Sequence, residues 1–241
     1  MQKITELVIK DIHPEWKKLL NTLSIDDFNQ IIDVLDQCLA KVLVHRQQYS
    51  TKLCPDKPEL ILRCLRMNPD NIKCVILGQD PYPQFGIATG LAFGCKDGKQ
   101  PSMQIMVREL EKEFNTSDLA QRFDPTLESW EKEGVLLLNT SLSCDEGKPK
   151  SHTDFWKPFM LELIRLLNNL KATRESMNSI VFVLLGSQAK CYKSCINSNW
   201  HYVIERNHPA AETHGSAAYE GFAKEVNKYL IESGQTKIQW I

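Results

Sequence analysis

The sequence predicts an α/β fold: a central four-stranded parallel sheet flanked by helices on both faces, with an N-terminal helical segment packed on it. Three observations lead there. Short apolar runs at 72–77, 135–138, 180–185 and 201–205 are rich in β-branched residues and near-continuous, as in strands buried on both faces. Stretches of helical periodicity separate them. Each run then breaks into polar, turn-forming residues, so chemistry-bearing side chains collect at the carboxyl edge of the sheet, where open parallel sheets bind ligands.

Taken in order, "IDDFNQIIDVLDQCLAKVLVHRQQY" (25–49) sets Phe28, Ile31, Ile32, Leu35, Leu39 and Val42 at helical spacing, with acids in its first turn. "LILRCLRM" (60–67) reads as a short helix stopped near Asn68 and Pro69. The first strand, "IKCVIL", leads into Gly78, Gln79 and Asp80, and a helix follows over 103–115. The second, "VLLL", leads into Asn139, Thr140 and Ser141. Behind it, a helix over 154–170 carries Phe155, Phe159, Leu163 and Leu167 on one face. The third, "IVFVLL", leads into Gly186, Ser187 and Gln188 and a helix over 188–197. The fourth, "HYVIE", leads into Asn207, His208 and Pro209, with a last helix near 217–232. There is no internal repeat and no low-complexity linker. One domain is expected over 1–241, with a helical N-terminal part (1–54) and a motif-bearing core (55–241).

The 241 residues, 42% hydrophobic and 24% charged, are enough to bury a sizeable core. A net charge of −1 argues against histone-like binding of nucleic acid and leaves room for a local basic face. No stretch approaches the roughly 18 apolar residues of a membrane span. The charged "MQKITELVIKDIHPEW" lacks a secretory apolar core, so an intracellular, non-secreted protein is expected. The eight cysteines include no CxxC pair; the closest, Cys191 and Cys195, are four apart on an expected helix. Free thiols and no metal are the expectation.

Strand ends thus deliver Gln79, Asp80, Asn139, Ser187 and His208 to one edge. Singly, each has a plain structural use: Asp80 or Asn139 can cap a turn, His208 can sit in a loop, and Tyr82 and Phe93 can fill the core. Independent turn caps, however, have no reason to gather at one rim. The set has one carboxylate and one histidine, without the second acid of a paired glycosidase mechanism. It also lacks a GxSxG elbow, a Walker loop and an HExxH motif. Amides beside two aromatic rings suit a flat, hydrogen-bonding ring such as a nucleobase. Asp80 and His208 could then act on a bond next to that ring.

At these residues the chain resembles the family 1 uracil-DNA glycosylases. "GQDPYPQFGIATGLAF" (78–93) aligns without a gap to the water-activating GQDPYH motif and the loop ending in GLAF. "LESWEKEGVLLLNTSLSCDEGKPKSH" (127–152), "LLGSQA" (184–189), "HPAAETHG" (208–215) and the terminal "KIQWI" match further family segments, so the likeness covers about 55–241. The resemblance implies that Asp80 positions the attacking water and stabilises positive charge on the sugar. His208, as a neutral imidazole, would donate to the uracil O2, a donor whose removal typically costs about 10²–10³ in rate. Asn139 would read the N3 and O4 edge, Phe93 would stack on the base, Tyr82 would exclude a C5 methyl, and Gln79 would help hold the flipped base. Ser102, Ser187 and His152 match residues at the phosphates around a flipped nucleotide, although His152 is as readily structural. No cofactor or metal is implied.

The chain also departs from the family. Pro83 replaces the histidine after the motif tyrosine, and Pro101 alone remains of the proline-rich stretch before Ser102. Ala210 replaces a phosphate-gripping serine, and Glu212 stands at the position of the intercalating leucine, the minor-groove wedge. Poxvirus members share PYP and HPAA but carry a basic residue at the wedge. An acid there suits neither the base stack nor nearby phosphates, so single-stranded uracil-containing DNA is the expected substrate. Whether Lys148, Lys150 or another base offsets Glu212 is open at this level. The competing reading is a DNA-binding or replication-processivity accessory protein with weak or no glycosylase activity, since some viral members double as such subunits. A pure scaffold would have no physical need for Asp80, Asn139, Tyr82, Phe93 and His208 together. A monomer is expected; a replication protein partner, and a nuclear, cytoplasmic or viral-factory location, stay open.

Overall fold

The computed structural model describes residues 11–21, 25–170, 179–213, 215 and 219–241. Four parallel strands, β2 (Cys74–Gly78), β3 (Val135–Asn139), β5 (Val181–Leu185) and β6 (Tyr202–Arg206), form one sheet in the order β3-β2-β5-β6. Every residue of β2, β3 and β5 is buried, so side chains on both faces are covered. That is why these strands read as unbroken apolar runs. Of the two edge strands, β6 is partly exposed while β3 is fully buried. The order reverses at β2, because the chain steps from β2 to β3 and then crosses back to β5 on the other side. Such a switch point opens a crevice at the carboxyl ends.

Helix Ile25–Tyr49 packs along helix Thr153–Asn169, burying Ile31, Leu35, Leu39 and Val42. The side chain of Phe28, expected on the same face, lies outside the described residues. Helix Pro101–Phe114 packs with helices Pro209–Thr213 and Ala223–Glu232. The C-terminal segment closes the core: Trp240 sits edge-on to Trp130 at 4.8 Å, and the Trp130 indole N–H donates to the Trp240 carbonyl at 3.1 Å.

Three expected helices differ. The 60–67 run is not one α-helix but the tight 3-10 turns Pro58–Leu60 and Arg63–Arg66. The expected helix over 188–197 is a single α-turn, Ser187–Lys190, and a separate 3-10 turn, Lys193–Cys195, so Cys191 and Cys195 share no helix. The last helix begins at Ala223 rather than near 217; 217 and 218 lie outside the described residues, and 219–222 are not helical. A two-stranded antiparallel sheet, β1 (Leu53–Cys54) with β4 (Cys144–Asp145), adds an element too short to show any period. No helix among the described residues is long and apolar enough to cross a membrane.

Candidate active site

A cavity of about 670 Å³ opens at the carboxyl ends of the sheet, lined among others by Gln79, Asp80, Tyr82, Phe93, Asn139 and His208. The register places them. Gly78 pairs with Asn139 at the ends of β2 and β3, and the loops beyond are stitched together. Thr140 N donates to the Gly78 carbonyl at 3.1 Å, while Ser141 N and Thr140 Oγ1 donate to that of Gln79 at 2.9 and 2.8 Å. Gly78 must be glycine for a packing reason. A Cβ there would lie 2.7 Å from Asn139 Oδ1 and 2.9 Å from the Phe93 ring.

Both oxygens of the Asp80 carboxylate are held. Gln79 Nε2 donates to Oδ1 at 2.7 Å, and the Lys150 backbone N–H donates to Oδ2 at 2.6 Å. Each oxygen keeps a further lone pair for a water. Burial pushes the Asp80 carboxyl above its ordinary value, and these two hydrogen bonds and the Lys150 charge work against that rise. The loop 80–83 rests on two buried thiols: Cys144 Sγ donates to the Pro81 carbonyl and Cys54 Sγ to that of Pro83, both at 3.5 Å.

Phe93, buried in a left-handed backbone conformation (φ 64°), turns its ring to 5.4 Å from that of His208, at 38°. Left-handed backbone in a bulky residue is strained and persists where the surroundings impose it. His208 follows β6; its Nδ1 accepts the Ala210 N–H at 3.1 Å, so the neutral ring carries its proton on Nε2. Burial, and secondarily the charge of Lys150, lower its pKa to about 4. Gly186 (φ 89°) makes room behind it, since a Cβ there would sit 2.8 Å from that of His208. The Tyr82 hydroxyl is buried beside Ser102 without a well-formed hydrogen bond, and Ser102 itself lines the cavity from the first turn of helix Pro101–Phe114.

The other sequence candidates lie elsewhere. Ser187 is exposed at the rim, on the turn after β5, and does not line the cavity. His152 is wholly buried: its Nδ1 meets Ser143 Oγ at 3.0 Å and its Nε2 meets Asp145 Oδ1 at 3.1 Å. Its ring thus joins Ser143 to Asp145 and presents neither nitrogen to the surface. Glu212 does not project as a wedge. Its carboxylate pairs with Arg108 Nη2 at 2.8 Å and accepts the Tyr219 N–H at 3.2 Å. The hydrogen bond from Arg108 first, then that from Tyr219, hold this carboxyl below its ordinary range. The base that offsets Glu212 is thus Arg108, rather than Lys148 or Lys150.

One set of described side chains has metal-ligand character: His45, Asp145 and His152, whose ligand atoms lie within 4.8 Å of one another. Each imidazole Nε2 already meets one Asp145 oxygen, His45 at 2.8 Å and His152 at 3.1 Å, so the set is self-satisfied as a hydrogen-bonded bridge. The eight cysteines are free thiols.

A parallel α/β sheet whose carboxyl edge converges a carboxylate, an amide, a stacking ring and a neutral imidazole defines a pocket for a flat heterocycle. The sequence profile of the Uracil DNA glycosylase superfamily matches residues 66–230, and the chain belongs to that superfamily. It is 35% identical over 224 residues to the uracil-DNA glycosylase of Francisella tularensis subsp. tularensis, covering 88% of this chain and 91% of the relative. It is likewise 35% identical over 190 residues to that of Pseudomonas aeruginosa, covering 75% and 77%. Among solved structures, mimivirus uracil-DNA glycosylase superposes with a TM-score of 0.72 at 22% identity, covering 92% of this chain and 88% of that one. A variant of the mimivirus protein in complex with UGI gives 0.76 at 21% identity, covering 98% and 90%.

Proposed function

We propose that the protein is a uracil-DNA glycosylase of family 1 that takes deoxyuridine out of DNA into the cavity and hydrolyses its N-glycosidic bond. The observation that carries this is the convergence of Asp80, Tyr82, Phe93, Asn139 and His208 on one cavity, with His208 fixed as an Nε2–H donor. Uracil stacks on Phe93 and offers its N3 and O4 edge to Asn139, which rejects cytosine because donor and acceptor are exchanged. Tyr82 closes the C5 side against a methyl group. As the C1′–N1 bond breaks, its electron pair passes to the base, and the charge gathering on O2 is met by the His208 Nε2–H. Asp80 faces the sugar cation and orients a water whose oxygen bonds to C1′. The carboxylate receives that water's proton, leaving an abasic site and a uracil anion, which is protonated as Asp80 gives its proton back through solvent. Gln79 orients Asp80 through one amide N–H and helps hold the base through its backbone or the rest of its side chain.

The reading extends to one domain over 1–241, acting intracellularly as a monomer, with Ser102 and Ser187 gripping phosphates. The PYP and HPAA segments and the clasped Glu212 favour poxvirus-like departures and a single-stranded substrate. Uracil release from a single-stranded deoxyuridine oligonucleotide in EDTA tests the proposal. Wild type should release uracil, and Asp80→Asn and His208→Ala should each fall by about 10² or more. DNA binding without release would establish instead the accessory role in replication.

A further inference from the structure

Lys150 is the only lysine or arginine among the described residues lining the cavity. Its backbone N–H is fixed on Asp80 Oδ2, and its own conformation is left-handed (φ 69°), which a lysine adopts only when the surroundings impose it. The loop between Asp145 and Thr153 does so. Lys148 N donates to the Asp145 carbonyl at 3.0 Å, Asp145 N to Ser151 Oγ at 2.8 Å, and Thr153 N to the Lys150 carbonyl at 3.2 Å. Gly147 N ties the loop to the Pro83 carbonyl at 2.8 Å. Beneath it, the Asp145 carboxylate is gripped by His45 from helix Ile25–Tyr49 and by His152. The loop is thus held at both ends and at its base, and its product is one placed cation beside Asp80.

Among the described residues no carboxylate lies within salt-bridge range of its ammonium: its charge reaches Asp80 only at longer range, and the side chain is exposed at the cavity mouth. An ammonium near Asp80 that makes no direct ion pair would also oppose the positive charge that develops on the sugar. An anion bound to it removes that opposition, and the anion that accompanies any nucleotide entering the cavity is its own phosphodiester. The neighbouring loop makes the need plain, since Ala210 offers no hydroxyl there.

We infer that Lys150 is a substrate-binding and positioning residue, its ammonium holding a phosphodiester next to the extruded nucleotide while its backbone N–H aims the Asp80 carboxylate. The inference rests on the glycosylase reading for what enters the cavity, and its test is independent of turnover. Binding to a single-stranded oligonucleotide carrying one abasic site is measured against salt concentration for wild type, Lys150→Ala, Lys150→Arg and Lys148→Ala. One phosphate contact contributes about 0.7 to the slope of log K against log salt on single strands. Lys150→Ala should lower the slope by about that amount and weaken low-salt binding roughly tenfold, as expected for one charge-assisted hydrogen bond. Lys150→Arg should restore the slope. Lys148→Ala, which removes an equal charge outside the cavity lining, should leave it nearly unchanged. An unchanged slope in Lys150→Ala, or an equal fall in Lys148→Ala, would overturn the assignment. Absence of uracil release by wild type would count against the glycosylase reading alone.

Discussion

Nδ1 of His208 accepts the backbone N–H of Ala210 at 3.1 Å, and this one bond decides which ring nitrogen of the neutral imidazole carries the proton. Nε2–H is left to donate, and the proposed mechanism needs the neutral ring and an ionised Asp80. Burial depresses the His208 pKa to about 4 and raises that of Asp80 above its ordinary value. On that mechanism, protonating either group should stop the reaction. The rate of wild type should therefore be flat through neutral pH and fall on acidification toward about pH 4, with no alkaline limb from these two groups. His208 also affects stability: its folded pKa lies below the unfolded one, so its contribution is present above about pH 6.5 and is lost as pH falls through about 4. His208 titrating near 6.5 in the folded enzyme, assigned by NMR against a His208→Gln variant, would contradict this arrangement.

Gly78 should be as sensitive as a catalytic residue although it performs no chemistry. In Gly78→Ala the added carbon would lie 2.7 Å from Asn139 Oδ1 and 2.9 Å from the Phe93 ring, so the base-reading amide or the stacking ring must move. Overpacking of this kind costs about 1–3 kcal/mol of stability. A misplacement near 1 Å can cost about 10² in rate. Thermal unfolding and uracil release, measured together, should show a folded protein with activity reduced by about that factor.

Much of this site is legible in the sequence because strands announce themselves as apolar runs, and their ends fix where Asp80, Asn139 and His208 meet. What escapes has no period or depends on distant pairing. β1 and β4 are two residues each, and Lys150 lies in a loop whose position is set by contacts to His45, Pro83 and Asp80. The thiols under loop 80–83 look like ordinary core cysteines until Cys54 and Cys144 prove to be register partners in β1 and β4. His152 shows a further limit: a motif match indicates a position in the chain, not which way the ring faces. The expected helices at 60–67 and 188–197 fail because apolar spacing cannot separate 3-10 turns from an α-helix over so few residues.

The turn Arg63–Arg66 is tied to the sheet side of the fold by an ion pair. Arg63 meets Glu131 with two parallel bonds, Nη1 to Oε1 at 2.5 Å and Nη2 to Oε2 at 2.8 Å, joining the turn Arg63–Arg66 to helix Glu128–Lys132 ahead of β3. The side chains are only 13% and 16% exposed, so removing one leaves the other charged and largely desolvated. Arg63→Met should cost about 3 kcal/mol in denaturant unfolding. The double variant with Glu131→Met should recover part of that loss. Equal costs for single and double variants would mean that packing, rather than charge, dominates here.

On the proposed function, Glu212 should govern which DNA the protein uses. Opening a duplex requires an apolar side chain to fill the space of the flipped base, at an unstacking cost of a few kcal/mol per step. Here the side chain at that place is turned toward helix Pro101–Phe114 and held by Arg108 at 2.8 Å, so it is withdrawn from the stack and occupies a cation that could face phosphate. Single strands need no such wedge. Glu212→Leu changes both terms at once: it supplies an apolar side chain and releases Arg108. The ratio of kcat/KM on duplex to that on single-stranded deoxyuridine should rise about tenfold or more, chiefly through the duplex value. Glu212→Gln, which weakens the pair without adding an apolar wedge, should raise it less. Equal wild-type rates on both substrates, or a ratio unmoved by Glu212→Leu, would show that duplex opening does not depend on this position.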